Sequence, residues 1–449
     1  MKETWQRCHK GGTVKSIVVS LSFVIIVFLS LFFACGVYAQ SIFVTPDKGF
    51  EKKVLKVPYA FYNEAYGAAA GFVYGVTGAP QDQAVVVVSA VAGTEGSYAL
   101  FLLERNIQVP FIKRLFIDTD LVLSKYGDLR VYTNGNPDFP DERAGSNESD
   151  EDNYIEGDGS DHYLRLKLKY LLPLGHGKNE IIPTQVLDRG LLKSGEVGGT
   201  SWNPLESGRT YLEARIYYRK QDVNNDLLEE GDDKTRAIEL SLYRDNTDLP
   251  INPSKGSSLR LKFSRDWGGS ASSAPWTVLD GEFSKYVSLG EAKKFRQRVI
   301  ALNFWTANAL TWNDSHEEDG KPVFHRPPPY AGASLGGIFR MRGFASSRFS
   351  DKAAIYYAAE YRMTPRWNPF EDIGWVKKYL DIAWWQWVPF AEVGRVAPSW
   401  SLSELHSSMK WDVGFGVRAM AKGLVVRIDT SVSKEEFGVQ MMVGHPFPF

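Results

Sequence analysis

The feature that most constrains the fold of this 449-residue chain is a set of segments, each about ten residues long, in which apolar and polar side chains alternate. Residues 163–172 read YLRLKLKYLL, residues 211–220 read YLEARIYYRK and residues 257–267 read SSLRLKFSRDW. A period of two places alternate side chains on opposite faces of a β-strand. The pattern therefore predicts strands with one apolar face and one charged face.

The rest of the chain indicates that these strands close into a membrane barrel. After the first 40 residues there is no long apolar segment and almost no amphipathic helix, so a membrane protein would have to cross with strands. A soluble β-sandwich or barrel is the alternative. Charges of both signs on the polar faces favour a wet lumen, and aromatic residues towards strand ends, such as Trp267, Trp276 and Trp411, are typical of membrane interfaces. We predict an all-β, transmembrane antiparallel β-barrel.

Sixteen candidate strands can be counted, and an even number is expected of a bacterial single-chain barrel with both termini in the periplasm. They begin near Gly67, Ala84, Ser97, Leu115, Leu129, His162, Tyr211, Thr235, Ser257, Trp276, Gln297, Ala353, Gln386, Lys410, Gly423 and Gly438. Residues 134–161 and 313–351 then fall in external loops. Residues 173–209 and 364–382 are predicted to form long periplasmic connections.

The N-terminus has the pattern of a secretory signal peptide. Basic residues precede an apolar run at residues 17–33, and the small residues before Gln40 suit signal peptidase. We predict cleavage after Ala39, with a retained membrane anchor or a lipoprotein acylated at Cys35 as alternatives. The predicted organisation is a signal peptide at residues 1–39, a short periplasmic segment at 40–65 and the barrel at 66–449.

Composition argues against an enzyme. Cys8 and Cys35 are the only cysteines and both lie in the predicted signal, which excludes thiol nucleophiles, disulfides and cysteine metal sites from the mature chain. The formal net charge of −1 implies no broad basic surface for nucleic acid. His316 and Glu317 resemble the start of a zinc-binding helix, but the second histidine is absent. We expect no catalytic residues, no cofactor and no metal site.

Four segments carry a family resemblance. They are residues 243–256 (YRDNTDLPINPSKG), 335–362 (LGGIFRMRGFASSRFSDKAAIYYAAEYR), 389–396 (PFAEVGRV) and 426–449 (VRIDTSVSKEEFGVQMMVGHPFPF). The second contains Arg342, Gly343 and Phe344 beside a glycine-rich turn. In this order the four segments resemble the BamA/TamA superfamily, the bacterial surface-antigen barrels. The resemblance covers the C-terminal half well and the N-terminal strands loosely.

The resemblance implies that a long external loop, the sixth, folds into the lumen and that Arg342, Gly343 and Phe344 reach the inner wall. The implied wall partners are Glu360, Phe390, Glu392 and Gly394. The family usually has aspartate at the position of Glu392 in this chain. Independently, a charge inside a barrel needs a partner, and the planar guanidinium of arginine suits a carboxylate. We expect Arg342 to pair with Glu360 or Glu392, and Phe344 to pack on Phe390; a solvated Arg342 is the alternative.

The close of the chain is similar to the signal that the barrel assembly machinery reads on its clients. Phe447 or Phe449 would carry that signal, after the alternating Val439, Met441 and Val443. The simpler alternative is a last strand that faces lipid.

Insertases of the family carry periplasmic POTRA modules, and the residues between Gln40 and the first predicted strand are too few for one. A barrel-only member is therefore predicted, with three candidate functions. It could assemble or translocate other proteins through a weak seam between its first and last strands. It could instead be a structural, oligomeric barrel, or a low-conductance channel whose luminal cations favour anions unless Glu213, Glu239 and Asp266 neutralise them.

The expected location is the bacterial outer membrane. Expected partners are outer-membrane lipids or lipopolysaccharide, the barrel assembly machinery for the chain's own insertion, a periplasmic partner or client proteins, and further copies of the chain. No nucleic-acid partner is expected.

Overall fold

The computed structural model describes residues 41–46, 49–63, 66–132, 136–225, 232–269, 272, 274–318 and 320–447. The predicted signal peptide, its cleavage site and Phe449 lie outside the described residues. Within the described part of the chain, no helix is long and apolar enough to cross a membrane.

One antiparallel sheet of sixteen strands dominates the structure, and each strand pairs with the next one along the chain. The strands are β1 (Lys53–Asn63), β2 (Gly67–Thr77), β3 (Val85–Gly93), β4 (Tyr98–Gln108), β5 (Leu115–Val131), β6 (Ile155–Leu171), β7 (Arg209–Asn224), β8 (Asp232–Thr247), β9 (Gly256–Asp266), β10 (Trp276–Ser288), β11 (Phe295–Ala309), β12 (Ala353–Pro365), β13 (Ile382–Ala397), β14 (Lys410–Ala421), β15 (Leu424–Val432) and β16 (Phe437–Val443). The predicted sixteen-stranded antiparallel barrel is confirmed.

The predicted number of strands is right, but two of the assignments are wrong. The strand predicted to be first is β2, and β1, which the prediction places in a periplasmic segment, pairs with it along its whole length. Pro58 interrupts the strand pattern of β1, which an edge strand tolerates because it has one unpaired side. The strand predicted at Leu129 is the end of β5, where an irregularity between Tyr126 and Leu129 breaks the alternation.

Alternation along the strands places charged side chains in the lumen and apolar side chains on the outer face. On β6, Leu164 and Leu168 are exposed on the outer face, whereas Lys167 and Lys169 are buried in the lumen. Trp267 and Trp411 are exposed, as expected of interface residues. The same prediction for Trp276 is wrong, because its side chain is buried in the core cluster within the barrel.

The remaining elements are short. They are the strands Ile42–Thr45, Gly49–Phe50, Thr184–Asp188, Leu191–Ser194, Ser315–Glu318, Lys321–Phe324, Ala333–Leu335 and Phe349–Asp351, the helices α1 (Gly374–Tyr379) and α2 (Leu402–Leu405), and the 3-10 turns Gly175–Lys178 and Pro329–Ala331. We call the barrel end where β1 begins and β16 ends the terminal end, and the opposite one the loop end.

The first four of these short strands form a small sheet, the mouth sheet, at the terminal end. Leu187 of this sheet packs with Trp384 of β13 and Met420 of β14. The indole Nε1 of Trp384 donates a hydrogen bond to the carbonyl of Gly190 at 3.0 Å, and Gln185 donates one to the carbonyl of Asp248 at 3.0 Å. The chain therefore covers part of its own barrel mouth with residues from the long connection 172–208.

The two ends of the sixteen-stranded sheet overlap near the terminal end. Arg427 of β15 points into the lumen, so its neighbours Leu424 and Val426 point outward by alternation. These outward side chains are nevertheless buried, with Leu424 only 1% exposed. The Cδ1 atom of Leu424 lies 3.2 Å from the position that a Cβ on Gly75 would occupy, and Gly75 belongs to the luminal face of β2.

The overlap extends to the last strand. Val443 of β16 also points outward and is 0% exposed, because it packs in one cluster with Leu424 and with luminal side chains of the first four strands. Val439, which points outward nearer the loop end, is 53% exposed. The terminal halves of β15 and β16 therefore lie inside β1–β4, face against face, whereas their loop-end halves do not.

Candidate functional site

Residues 310–352 between β11 and β12, here called loop 6, reach the inner wall of the barrel. The short strands Ala333–Leu335 and Phe349–Asp351 pair and form a neck, and the residues between them form the tip. A Cβ on Gly394 of β13 would lie 2.8 Å from Cδ1 of Leu335, so the glycine permits this close approach. The tip turns sharply at Met341, whose φ of 57° lies in the left-handed region.

Arg342 at the tip is completely buried and binds three carboxylates of the wall. Its Nη2 donates to Glu360 of β12 at 3.1 Å, its Nε to Glu392 of β13 at 3.1 Å, and its Nη1 to Asp429 of β15 at 2.5 Å. The guanidinium carbon lies 3.5 Å from the ring centroid of Phe390. Every side of the cation therefore has an acidic or aromatic partner.

The main chain at the tip is bound as well. The amide of Arg342 donates to Glu392 at 2.6 Å, and the amide of Gly343 donates to Asp412 of β14 at 3.2 Å. The carbonyl of Arg342 accepts hydrogen bonds from Ser431 at 2.7 Å and Gln440 at 2.9 Å. Loop 6 is thus attached to five consecutive strands, β12 to β16.

The structure brings Arg342 together with Glu360 and Glu392, the two carboxylates that the sequence singled out. The extra methylene of Glu392, relative to the aspartate usual in the family, does not prevent this contact. Sequence reasoning missed Asp412, Asp429, Ser431 and Gln440. Their signal was present, because each occupies a luminal position of an alternating strand. Nothing in a single sequence shows which luminal residues of β14–β16 lie opposite the loop.

Three more arginines lie around this site, and two of them bind Glu360. Glu360 accepts hydrogen bonds from Arg418 at 2.6 and 2.9 Å and from Arg362 at 2.9 Å, in addition to Arg342. Arg427 bonds to Asp429. All these groups are buried, and each charge in the network lies beside a charge of the opposite sign.

Phe344 does not pack where the resemblance implies. Its ring lies edge-on to Phe349 in the neck of loop 6, with the ring centroids 5.1 Å apart. Phe390 instead lies beneath Arg342 and covers Gly414, where a Cβ would lie 2.2 Å from the Phe390 ring. The expected contact between Phe344 and Phe390 is therefore replaced by two separate contacts, because the cation occupies the face of the Phe390 ring.

Loop 6 is also anchored nearer the loop end. Arg348 donates to Glu435, in the connection between β15 and β16, at 2.7 and 3.2 Å, and to the carbonyl of Ser149 at 2.7 Å. Arg340 donates to Glu282 of β10 at 2.9 Å and lies over the ring of Trp305. The loop thus bridges opposite sides of the lumen.

The residues after β16 turn into the lumen. Phe447 is buried in the core cluster, 5.5 Å from the Arg362 guanidinium, and His445 lies 2.9 Å from an Nη atom of Arg418. In the folded barrel Phe447 therefore does not continue a lipid-facing strand. An assembly signal would be read on the unfolded chain, so that role stays a prediction, and Phe449 lies outside the described residues.

Several luminal cations elsewhere pair with nearby acids. Lys169 lies 2.7 Å from Asp118, Arg260 lies 3.2 Å from Glu213, and Arg215 bonds to Glu239. Asp266, the third predicted counter-ion, instead accepts hydrogen bonds from main-chain amides at the loop end. The geometry thus gives a plugged lumen with many paired charges, and the loop 6 site is a buried network of ion pairs, here called the lock.

Comparisons with known proteins agree with this architecture. The model of the Omp85 superfamily domain matches residues 198–421. No curated protein matches the chain. Solved structures that resemble it include CdiB from Escherichia coli, with a TM-score of 0.50 and 11% identity over 87% of this chain and 61% of that chain. BamA from Haemophilus ducreyi, lacking POTRA domains 1–3, has a TM-score of 0.44 and 11% identity over 97% of this chain and 79% of that chain.

At such low identity the resemblance to CdiB concerns the fold alone, and the chain spans about three fifths of the CdiB chain. The family match covers the strands from β7 to β14 and includes the whole of loop 6 with its buried arginine. By this match and by its sixteen-stranded barrel, the chain is a member of the Omp85 superfamily.

Proposed function

We propose that this protein resides in the bacterial outer membrane and assists the insertion or translocation of other polypeptides. The observation that carries the proposal is the overlap of the sheet ends. Among the described residues, no ladder joins β1 to β16, and β16 contributes only seven residues. Strand edges that are not committed to each other are the part of a barrel to which an incoming strand can add.

Loop 6 supports the same proposal, because it binds the last five strands as one unit. The lock at Arg342 would hold β12–β16 in place while the boundary between β16 and β1 changes. The bonds of Arg342 all lie on the β12–β16 side of the seam, so the barrel could part at the seam without breaking them.

A periplasmic partner belongs to the proposal. The described residues before β1 form strands of the mouth sheet, and they hold no POTRA-like module. In this proposal another protein delivers unfolded clients at the terminal end. Outer-membrane lipids surround the barrel in this proposal, and the barrel assembly machinery inserts it.

The test is depletion of the protein in its host, followed by measurement of the levels of other outer-membrane barrel proteins. The proposal expects those levels to fall, with recovery on expression of the wild-type chain and weaker recovery with Arg342→Ala. Unchanged levels after full depletion would contradict it.

A structural barrel or low-conductance channel is the second candidate. It is favoured by the paired luminal charges and by the two covers, loop 6 and the mouth sheet. Planar-bilayer recordings distinguish a structural barrel from a channel, because a structural barrel passes no current whereas a channel gives discrete openings.

A further inference from the structure

The luminal face of the first four strands differs from the rest of the lumen because it is mainly apolar. Most of its buried side chains are apolar, namely Leu55, Tyr59, Val73, Val85, Val87, Val91, Ala99 and Leu103, and its buried polar members are Ser89 and Arg105. On the very next strand, β5, the luminal positions include Asp118 and Asp120, which bind Lys169 and Arg105. A mainly apolar wall of four strands thus begins at the sheet edge, and charged luminal positions begin at Arg105 of β4 and continue along β5.

The outer face of the same four strands is apolar too. Phe72, Tyr74, Val88 and Leu100 are exposed there. Strands that are apolar on both faces need cover on both sides, as in sheets buried within a protein. Lipid can cover the outer face, so the luminal face needs a cover that the chain or another polypeptide must supply.

In this structure β15 and β16 cover the wall, and they contact it with their outward faces. Leu424, Val426 and Val443 are the side chains of β15 and β16 that would face lipid in an ordinary barrel, and they pack on β1–β4 instead. The covered area is confined to the terminal end, since Val439 and Phe437 of β16 remain exposed. The wall is therefore built to receive the apolar face of a membrane-spanning β-hairpin.

We propose that the luminal face of β1–β4 is a docking surface for the lipid-facing side of a transmembrane β-hairpin. Its resident occupant is β15–β16, and a client hairpin of the same amphipathic pattern replaces it during insertion. This inference rests on the proposed function and specifies where the client lies: face to face inside the wall, rather than only along the edge of β1. Sheets that pack face to face in this way lie about 10 Å apart.

The overlap can be tested with cysteines, since both native cysteines lie in the predicted signal and the described residues have none. Gly75→Cys combined with Leu424→Cys is expected to cross-link under mild oxidation in native membranes. The matched control is Tyr74→Cys with Leu424→Cys, because Tyr74 is adjacent to Gly75 but points outward. Cross-linking of the control pair in place of the first pair would place Leu424 on the outer surface and overturn the proposal.

Docking can be tested with a labelled synthetic peptide of residues 423–444, which carries the β15–β16 hairpin. A photoreactive amino acid replaces Val87 on the luminal face or Val88 on the outer face of the full chain in lipid vesicles. The full chain also carries Leu424→Ser and Val443→Ser to weaken the resident cover. The peptide is expected to label position 87 at least tenfold more than position 88. Labelling at 88 alone, or at neither position, would overturn the docking surface.

The disulfide also separates this inference from the proposed function. If depletion lowers host barrel proteins, the Gly75→Cys/Leu424→Cys variant should rescue them when reduced and fail when oxidised. Full rescue in the oxidised form would refute the docking surface and leave the assembly function standing. If the peptide docks but depletion leaves host barrels unchanged, the surface stands and the assembly function fails.

Discussion

Glu392 of β13 accepts two hydrogen bonds from Arg342, one from the main-chain amide at 2.6 Å and one from Nε at 3.1 Å. One carboxylate therefore fixes both the backbone and the charge of the loop tip. Asp429 and Glu360 complete the site from β15 and β12. The tip of loop 6 is held by strands that are distant in sequence. Removing the side chain of Arg342 therefore tests how strongly the loop stabilises strands β12–β16.

Replacing Arg342 with alanine is expected to destabilise the barrel by about 3–5 kcal/mol, because three buried carboxylates would lose their common cation. Lysine is expected to restore little, since an ammonium cannot reproduce the planar fork. The measurement is the temperature at which the folded, fast-migrating gel band is lost. Arg340→Ala is the control in the same loop, because Arg340 pairs with one carboxylate and is partly exposed. Equal losses from both variants would contradict the lock.

Shortening Glu392 to aspartate is expected to break one of its two bonds to Arg342, because the side chain loses one methylene. The loss is expected to be about 1–3 kcal/mol, smaller than for Arg342→Ala. Thermal unfolding of Glu392→Asp and Glu392→Ala should rank wild type, aspartate and alanine in that order. An aspartate variant as stable as the wild type would show that the longer arm is not used.

Gly414→Ala is expected to displace Phe390 from beneath Arg342. The added Cβ would lie 2.2 Å from the Phe390 ring and 2.3 Å from the carbonyl of Thr430, closer than atoms can pack. Gly281→Ala on β10 is the control, since its Cβ would meet the nearest atom, of Leu261, at 3.4 Å. Gel mobility after graded heating should show a clear loss for the first variant and little change for the second.

Phe344 and Phe349 are expected to be coupled, because their rings meet edge to face within the neck of loop 6. A double-mutant cycle with alanine should give a coupling energy of about 0.5–1.5 kcal/mol. The same cycle between Phe344 and Phe390 should be close to additive. Strong coupling of the second pair would restore the packing implied by the family resemblance.

Glu213→Gln is expected to shift any residual ion selectivity towards anions, since it removes the acid that faces Arg260 and Lys167. Reversal potentials across a salt gradient in planar bilayers measure this shift. Glu148→Gln serves as the control, because Glu148 pairs with Arg395 in an exposed position outside the lumen. An unchanged reversal potential for Glu213→Gln would mean that ions do not pass this part of the lumen.

Much of the barrel could be predicted because alternation is a local property. The charged face of β6 and the apolar face of β9 follow directly from neighbouring residues, and Pro58 and the irregularity at Tyr126 account for the two misplaced strands. The partners Glu360 and Glu392 came from a resemblance that spans nearby strands. Asp429 could not be predicted as a partner in this way. It lies 87 residues after Arg342, and the two meet only because the curvature of the barrel brings β15 to the loop.

The sequence alone therefore determined that this chain forms strands and that the strands have a charged and an apolar side. It also indicated that an arginine of a loop inside the lumen needs carboxylate partners. Only the tertiary structure decided that the sheet ends overlap, that Leu424 lies against Gly75, and that Phe447 turns inward. The physical reason is that alternation states which residues share a face but not what that face meets. An outward side chain such as Val443 can be covered by lipid or by another strand, and the curvature and closure of the whole sheet make that choice.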